Sequence, residues 1–448
     1  YRRQRQMCIR DSKSCPHKFK DRSTYFLNRF LSVTARAGIG YQLINSPYYE
    51  YYGSKLFKYA FLTPLILHIH FSTFSKGRIY SMKLVFSKSE LSKGVNIVSK
   101  AIPTRTSMPI LECIMIDSTE GQIKFTANDM ELGIETIVEG DILEKGKIAI
   151  DAKIFSDIVR KLPDNDITIQ TDDNYNALIT CENSKFNISG KSGDDFSFLP
   201  VIEKQKSIRL SQFALRELVN QTIFCTAPND NNKMMAGELF EVIDSELKVV
   251  ALDGHRIAIR KKKLEGRADD VKVVVPGKTL NEISKILSTD ADDMMNIYFS
   301  NNHILFEFDQ TIVVSRLIEG EYFKISQMLS SDYETRITAN KKEMLGSIDR
   351  ATLLIKESDK KPIILNITDG NMEVKVVSSI GSLNENVAVE KEGKDIMIGF
   401  NPKFLMDALG KIDDENVDIY LLNPKAPCFI RDKEENYIYL ILPVNFTA

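Results

Sequence analysis

Apolar and polar positions recur along this chain with a long period. In "LVFSKSELSKGVNIV", "IRLSQFALRELVNQTI" and "TRITANKKEMLGSIDRA" a short strand-like run reaches a polar residue and then apolar residues at helical spacing. Aligned, these put Leu91, Leu215 and Met344 in one column and Val95, Val219 and Ile348 in another, four residues on, which is one face of a helix. A second trio is tighter: "KIAIDAKIFSDIVRKL", "KVVVPGKTLNEISKIL" and "DIMIGFNPKFLMDALGKI". Lys153, Lys278 and Lys403 fall 125 residues apart, as do Asp157, Glu282 and Asp407, and Leu162, Leu287 and Ile412. Between the helices, "QIKFTA", "DITIQT", "NIYFS", "HILFEF", "TIVVSRL" and "YIYLIL" alternate with period two and predict strands, while "TDDN", "SNN" and "TDG" mark turns. The pattern predicts an α+β fold of three tandem copies of one domain, each with two helices plus β-sheets, over residues 82–205, 206–331 and 332–448.

Composition separates the first 81 residues from this repeat. They carry 14 Lys or Arg against three acids and 9 of the 16 tyrosines; from Met82 onward there are 45 basic and 58 acidic residues, a net of −13. The apolar run "YAFLTPLILHIHF" (59–71) is interrupted by Pro64, His68 and His70 and is shorter than the roughly 20 residues of a membrane span. Residues 1–81 are expected to be a non-native or disordered basic extension, with "MKLVFSKSEL" at Met82 as the true start. The alternative is a basic nucleic-acid-binding arm. Cys8, Cys15, Cys113, Cys181, Cys225 and Cys428 form no C-x-x-C pair, which fits a reducing, cytosolic setting and neither a zinc knuckle nor a disulfide framework.

One stretch looks chemical. "VVALDGHRIAIR" (249–260) places Asp253, Gly254, His255 and Arg256 side by side, an arrangement open to a metal pair or an oriented general base. The competing reading is a plain hairpin, because Asp-Gly between two β-type runs is a strong turn signal. His303 in "SNNHILFEF" reads as another turn residue. No phosphate-cradling glycine loop, H-E-x-x-H or G-x-S-x-G accompanies them, so no metal, cofactor or catalytic set is expected.

Several segments in order resemble the bacterial DNA polymerase III β-subunit family, the sliding clamps, across residues 82–448. They are "MKLVFSKSEL", "RTSMPILECIMI", "LFE" with "ALDGHRIAI", "VVVPGKTLNEI", "VVSRLIEGEYFKI", "IGFNPKFLMDAL" and the terminal "YLILPV". The resemblance implies a non-catalytic processivity factor: a head-to-tail homodimer whose helices line a hole threaded by double-stranded DNA, read without regard to sequence. It implies a cytoplasmic, nucleoid-associated protein, and as partners the polymerase III α subunit, the clamp-loader δ subunit and other clamp-motif proteins. The alternative is a β-rich interaction scaffold that does not act on DNA.

Site residues follow from the same resemblance. Arg105 matches the family's DNA-contacting arginine, and Lys153, Arg160, Arg216 and Lys278 lie on inferred inner helices or their starts, where the other reading is a solvated surface charge. A hydrophobic pocket for partner peptides would be walled by Met235, by Leu252, Gly254, His255, Arg256 and Ile257 around the turn, and by Phe323, Gln327 and Met328. Its last wall would be the terminal Leu440, Ile441, Leu442, Pro443, Val444, Asn445 and Phe446. The sequence departs from the family pattern at Phe323, where proline is usual, at Asn445, where arginine is usual, and in the ending "FTA". The dimer interface would include Phe186, Leu354 and Ile355, for which plain core burial is the other reading.

Overall fold

The structure, a computed structural model, describes residues 82–228, 231–356 and 361–446. The expectations for residues 1–81, with Cys8 and Cys15, and for the last two residues of "FTA" lie outside the described residues. Among the described residues six α-helices appear where the two apolar trios put them: α1 (Lys88–Val98), α2 (Ala152–Lys161), α3 (Gln212–Asn220), α4 (Gly277–Ile283), α5 (Lys341–Thr352) and α6 (Pro402–Leu409). Five start on a polar cap. Ser87, Asp151, Ser211, Asn340 and Asn401 accept a bond from a backbone N–H in the first turn, each worth about 1 kcal/mol; α4 follows Pro276 without such a cap. The aligned columns Leu91, Leu215, Met344 and Val95, Val219, Ile348 are all buried, as are Leu162, Leu287 and Ile412.

The strands of the described residues form three antiparallel sheets of five, nine and twelve strands. The five-stranded sheet belongs wholly to the first repeat. The other two cross from one repeat to the next, through strand Leu132–Ile137 paired with Thr311–Arg316, and strand Arg256–Lys263 paired with Tyr437–Ile441. Repeats are thus joined by backbone hydrogen bonds as well as by side chains. At the first joint Ile134 faces Val313, and at the second Ala258 faces Tyr439, all four buried. The first two repeats share one apolar core, and the core of the third draws in Cys225, Ala251 and Ala258 from the second.

The strands that stand in these joint positions in the remaining repeats are open. Ser184–Ser189 ends the five-stranded sheet, and residues 382–388, the first half of strand Ser382–Gly393, pair only with Asn371–Val377 among the described residues. Phe186 on the first edge is 38% exposed. Leu354 and Ile355, just after α5, are half-buried against the third core, and the neighbouring Leu353 is 78% exposed. Among the described residues no helix is long and apolar enough to cross a membrane.

Candidate functional site

Residues 253–256 fold as a turn. Asp253 Oδ1 accepts from the backbone N–H of His255 at 3.0 Å and of Arg256 at 3.1 Å, while Gly254 sits at φ +82°, a left-handed conformation suited to glycine. The carboxylate is occupied by the turn and by Arg256. The His255 ring instead lies 6.1 Å from the ring of Phe404 on α6. Among the described residues no cluster of His, Cys, Asp and Glu could hold a metal. Nothing here assembles an acid–base pair.

Arg256, expected as a residue of the pocket wall, is also tied into the fold. Its side chain is buried, and its Nε donates to Asp253 at 3.0 Å, one terminal nitrogen to Asp407 of α6 at 2.6 Å, and the other to the Phe224 carbonyl at 2.7 Å. The guanidinium also lies over the rings of Phe404 and Phe224, 4.4 and 5.2 Å from their centroids. Burial lowers its pKa, and the two carboxylates more than offset that, leaving the pKa raised. Strand alternation is the reason: Arg256, Ala258 and Arg260 point to the helix side of the sheet, while Leu252 and Ile257 point to the other. Arg256 therefore ties the second repeat's turn to the third repeat's helix.

On that other side lies a cavity of about 370 Å³ with mostly apolar walls. The structure brings together Met235, Leu252, Gly254, His255, Arg256, Ile257, Phe323, Met328, Leu440 and Leu442 around it, with Pro427 added. Phe323 packs edge-on against Tyr322, the rings 5.6 Å apart. Six expected wall residues fall elsewhere. Ile441 is buried in the third core, on the opposite face from Leu440 and Leu442. Gln327 is exposed in the turn Ile325–Gln327. Pro443 and Asn445 are not in the lining, and the tail turns back onto strand Ile396–Phe400, where the Val444 N–H donates to the Gly399 carbonyl at 2.8 Å. Phe446 packs there too: a Cβ on Gly399 would meet its ring at 2.7 Å. Pro427 precedes a strand far from the turn in sequence and has no local signal. Asp407 does have one, the repeat column it shares with Asp157 and Glu282.

The candidate cations are scattered. Arg105 and Lys153 are exposed and Arg216 is half-buried. Arg160 pairs with Asp157 at 2.6 Å within α2, and Lys278, at the start of α4, reaches Asp129 of the first repeat at 2.5 Å. Lys278 thus braces the first joint at the place where Arg256 braces the second.

One buried acid stands behind the turn. Glu238 is fully buried, accepts from the Thr222 hydroxyl at 2.9 Å, and has no partner for its other oxygen among the described residues. Burial pushes its carboxyl up to about 8, against the smaller opposing effect of Thr222. Thr222 leads directly into the short helical turn Ile223–Cys225, whose Phe224 carbonyl holds Arg256.

Comparison with known proteins matches the chain to three families: DNA polymerase III beta subunit, N-terminal domain, over residues 82–200; central domain over 209–324; and C-terminal domain over 326–445. The beta sliding clamp of Staphylococcus epidermidis is 33% identical over 376 residues, covering 81% of this chain and 99% of that protein. A structure of a putative DNA polymerase III beta subunit from Eubacterium rectale is 65% identical with a TM-score of 0.79, covering 82% of this chain and all of that one. The DNA polymerase sliding clamp of Bacillus subtilis, at 32% identity, superposes with the same TM-score of 0.79 and equal coverage.

Two outcomes are expected. Arg256→Ala strips buried carboxylate and carbonyl acceptors of their donor and lowers unfolding free energy by about 3–5 kcal/mol. His255→Ala changes it by less than about 0.5 kcal/mol, and chemical denaturation of both variants measures the contrast. Glu238 binds its proton more tightly folded than unfolded, so between its ordinary value of 4.5 and about 8 the unfolded chain holds fewer protons and stability falls as pH rises. Above that window the contribution is flat. Glu238→Gln should flatten this part of the pH profile in thermal melts taken from pH 5 to pH 8.

Proposed function

The chain belongs to the bacterial DNA polymerase III beta-subunit family, the sliding clamps, and from that membership we propose that two copies close head to tail around duplex DNA and tether the replicative polymerase to it. Its function is that of a DNA sliding clamp, carried by residues 82–448. The work is tethering, with no reaction, cofactor or metal assigned, in the cytoplasm at the nucleoid.

The single observation that carries this reading is the pair of open joint strands. Each closed joint matches an edge of one repeat to a differently placed edge of the next, and one edge of each kind has no partner among the described residues. Applying the register of the closed joints to the free edges sets Phe186 opposite Leu383, the column held by Ile134 with Val313 and by Ala258 with Tyr439. An apolar pair completes the series. Leu354 lies against this edge, 3.8 Å from where a Cβ on Gly381 would stand, and Ile355 follows it. Two copies then supply six repeats and leave neither of these two joint edges unpaired, which removes the hazard they pose as exposed strands.

A ring of this kind holds DNA by topology, so its cations need only meet phosphates diffusely. Arg105, Lys153 and Arg216 are the cations best suited to that. Arg160 and Lys278 share their charge with Asp157 and Asp129. The 370 Å³ cavity is the docking place for short apolar peptide motifs, as offered by the polymerase α subunit, the clamp-loader δ subunit and other clamp-motif proteins. Met235 and Met328, both in its wall, let it adapt to several sequences.

Loaded by a clamp loader onto a nicked circular plasmid, the protein should stay bound and then leave when the circle is cut. Retention on the linear product would overturn the topological reading and favour a scaffold that does not encircle DNA. Phe186→Asp buries a charge in the new joint; sedimentation should show the mass falling from a dimer to a single chain of 50.9 kDa, with loss of retention on circles. An undisturbed dimer would count against this interface.

A further inference from the structure

The two closed joints carry quasi-equivalent grooves on the helix side of the sheet, and their chemistry differs. At the first joint the groove runs between α1 and strand positions Thr136, Ile137, Val138 and Glu139, with Glu90, Lys93 and Asp309 also on its walls. At the second, the matching strand positions are Arg260, Lys261, Lys262 and Lys263, of which Arg260 and Lys262 alternate to the helix side and Lys261 and Lys263 to the other, and the groove widens to a cavity of about 500 Å³ beside α3. The change from "TIVE" to "RKKK" at the same structural positions turns an acidic groove into a basic one. Arg209 joins the lining. Arg209, Lys262 and Lys263 are exposed and have no ion-pair partner among the described residues. Arg260 lies over the Tyr437 ring, 5.3 Å from its centroid, with its Nε buried and unbonded among the described residues. The acids Glu217 and Asp413 both accept from the Gln221 amide at 3.4 Å, and Glu265 is exposed at the rim.

An aromatic ring completes the set. Phe213, in the first turn of α3, is 40% exposed within this groove. Free cations beside an accessible ring suit a ligand that has both a phosphate and an uncovered π-face. Bases in a duplex are stacked on both faces, whereas an unpaired base offers one. The cavity volume is also of the size that takes a nucleotide.

We propose that this groove binds single-stranded DNA, with a backbone phosphate on Arg209 and Lys262 and an unpaired base on Phe213. The proposal rests on the reading of the helix side as the DNA side of a clamp. A strand passing from duplex to single-stranded template is then held at the second joint, while the first joint, lined by Glu90, Glu139 and Asp309, leaves it free.

The test is anisotropy titration of the full-length protein with fluorescent oligo-dT and with a duplex of equal length, across a series of salt concentrations. Phe213→Ala should weaken the single strand about tenfold and leave the duplex unchanged, and Phe213→Leu, which keeps apolar bulk without a ring, should do the same. Arg209→Ala with Lys262→Ala should reduce the slope of log affinity against log salt by about 0.7 for each phosphate that is no longer neutralised. Equal affinity for wild type and variants overturns the proposal, as does an equal weakening on duplex. Displacement of oligo-dT by poly-glutamate at lower concentration than by unlabelled oligo-dT assigns the groove to acidic peptides and also overturns it. Retention on circular DNA, scored in parallel, separates the two readings: wild-type failure there falls on the clamp reading, and unchanged retention with unchanged oligonucleotide affinity in the variants falls on the groove alone.

Discussion

Backbone pairing across the repeat boundaries is the constraint from which the rest follows. A strand edge at the end of one repeat has N–H and C=O groups that need partners, and the next repeat supplies them through Thr311–Arg316 at the first joint and Tyr437–Ile441 at the second. Because the edges that meet are of two different kinds, a chain of three repeats ends with one of each. The two edges left over match one another as the closed joints do, which is what the proposed pairing of two copies uses. The apolar column at each joint adds what backbone bonds alone lack, a register: slipping by one residue would turn Ile134 or Ala258 from the buried face to the other.

The cavity and the joint are two sides of one strand. Arg256–Lys263 sends Ile257 toward the cavity and Arg256, Ala258 and Arg260 toward the helices, so the turn that leads into it serves both. Asp253 fixes the turn's backbone and orients Arg256, and Arg256 reaches Asp407 on the next repeat. The floor of the cavity is consequently anchored by an interaction that spans two repeats. Its exposed parts, Met328 and Leu442, are the ones free to adjust to an incoming chain. A floor held in place before binding, with an exposed rim, lowers the ordering cost of the peptide docking proposed for this site.

Much of this is legible in the sequence because repetition makes weak signals add. A single amphipathic run of ten residues is ambiguous, but three in register define six helices and both helix faces. The cavity's apolar wall is legible where strand alternation and the family's turn motif agree. The motif misleads at Ile441, where alternation alone assigns the opposite face from Leu440. It misleads again at Val444 and Phe446, whose positions depend on the missing side chain of Gly399, an approach between segments distant in sequence. Arg256 escapes a sequence reading for a similar reason. Its partners Asp407 and Phe224 come from separate repeats, and no local pattern announces that an arginine beside an exposed histidine is itself buried.

Charge shows the same division between local and assembled information. The net charge of −13 over the repeated part says little about DNA, because what matters is which face each charge occupies. At the first joint the strand reads "TIVE" and at the second "RKKK", in positions that the fold makes equivalent. Burial presses hard on this contrast: a run of four cations is tolerated at the end of a joint strand because Lys261 can approach Glu435 while Lys262 and Lys263 stay in water. Arg260 cannot do so, and its stacking on Tyr437 compensates only part of its desolvation. A joint that needed stability alone would be served better by the apolar residues at the matching positions Ile137 and Val138. The cations at the second joint therefore add little to the strand pairing, which ends at Arg260, and Arg260 itself keeps a buried Nε that has no acceptor among the described residues.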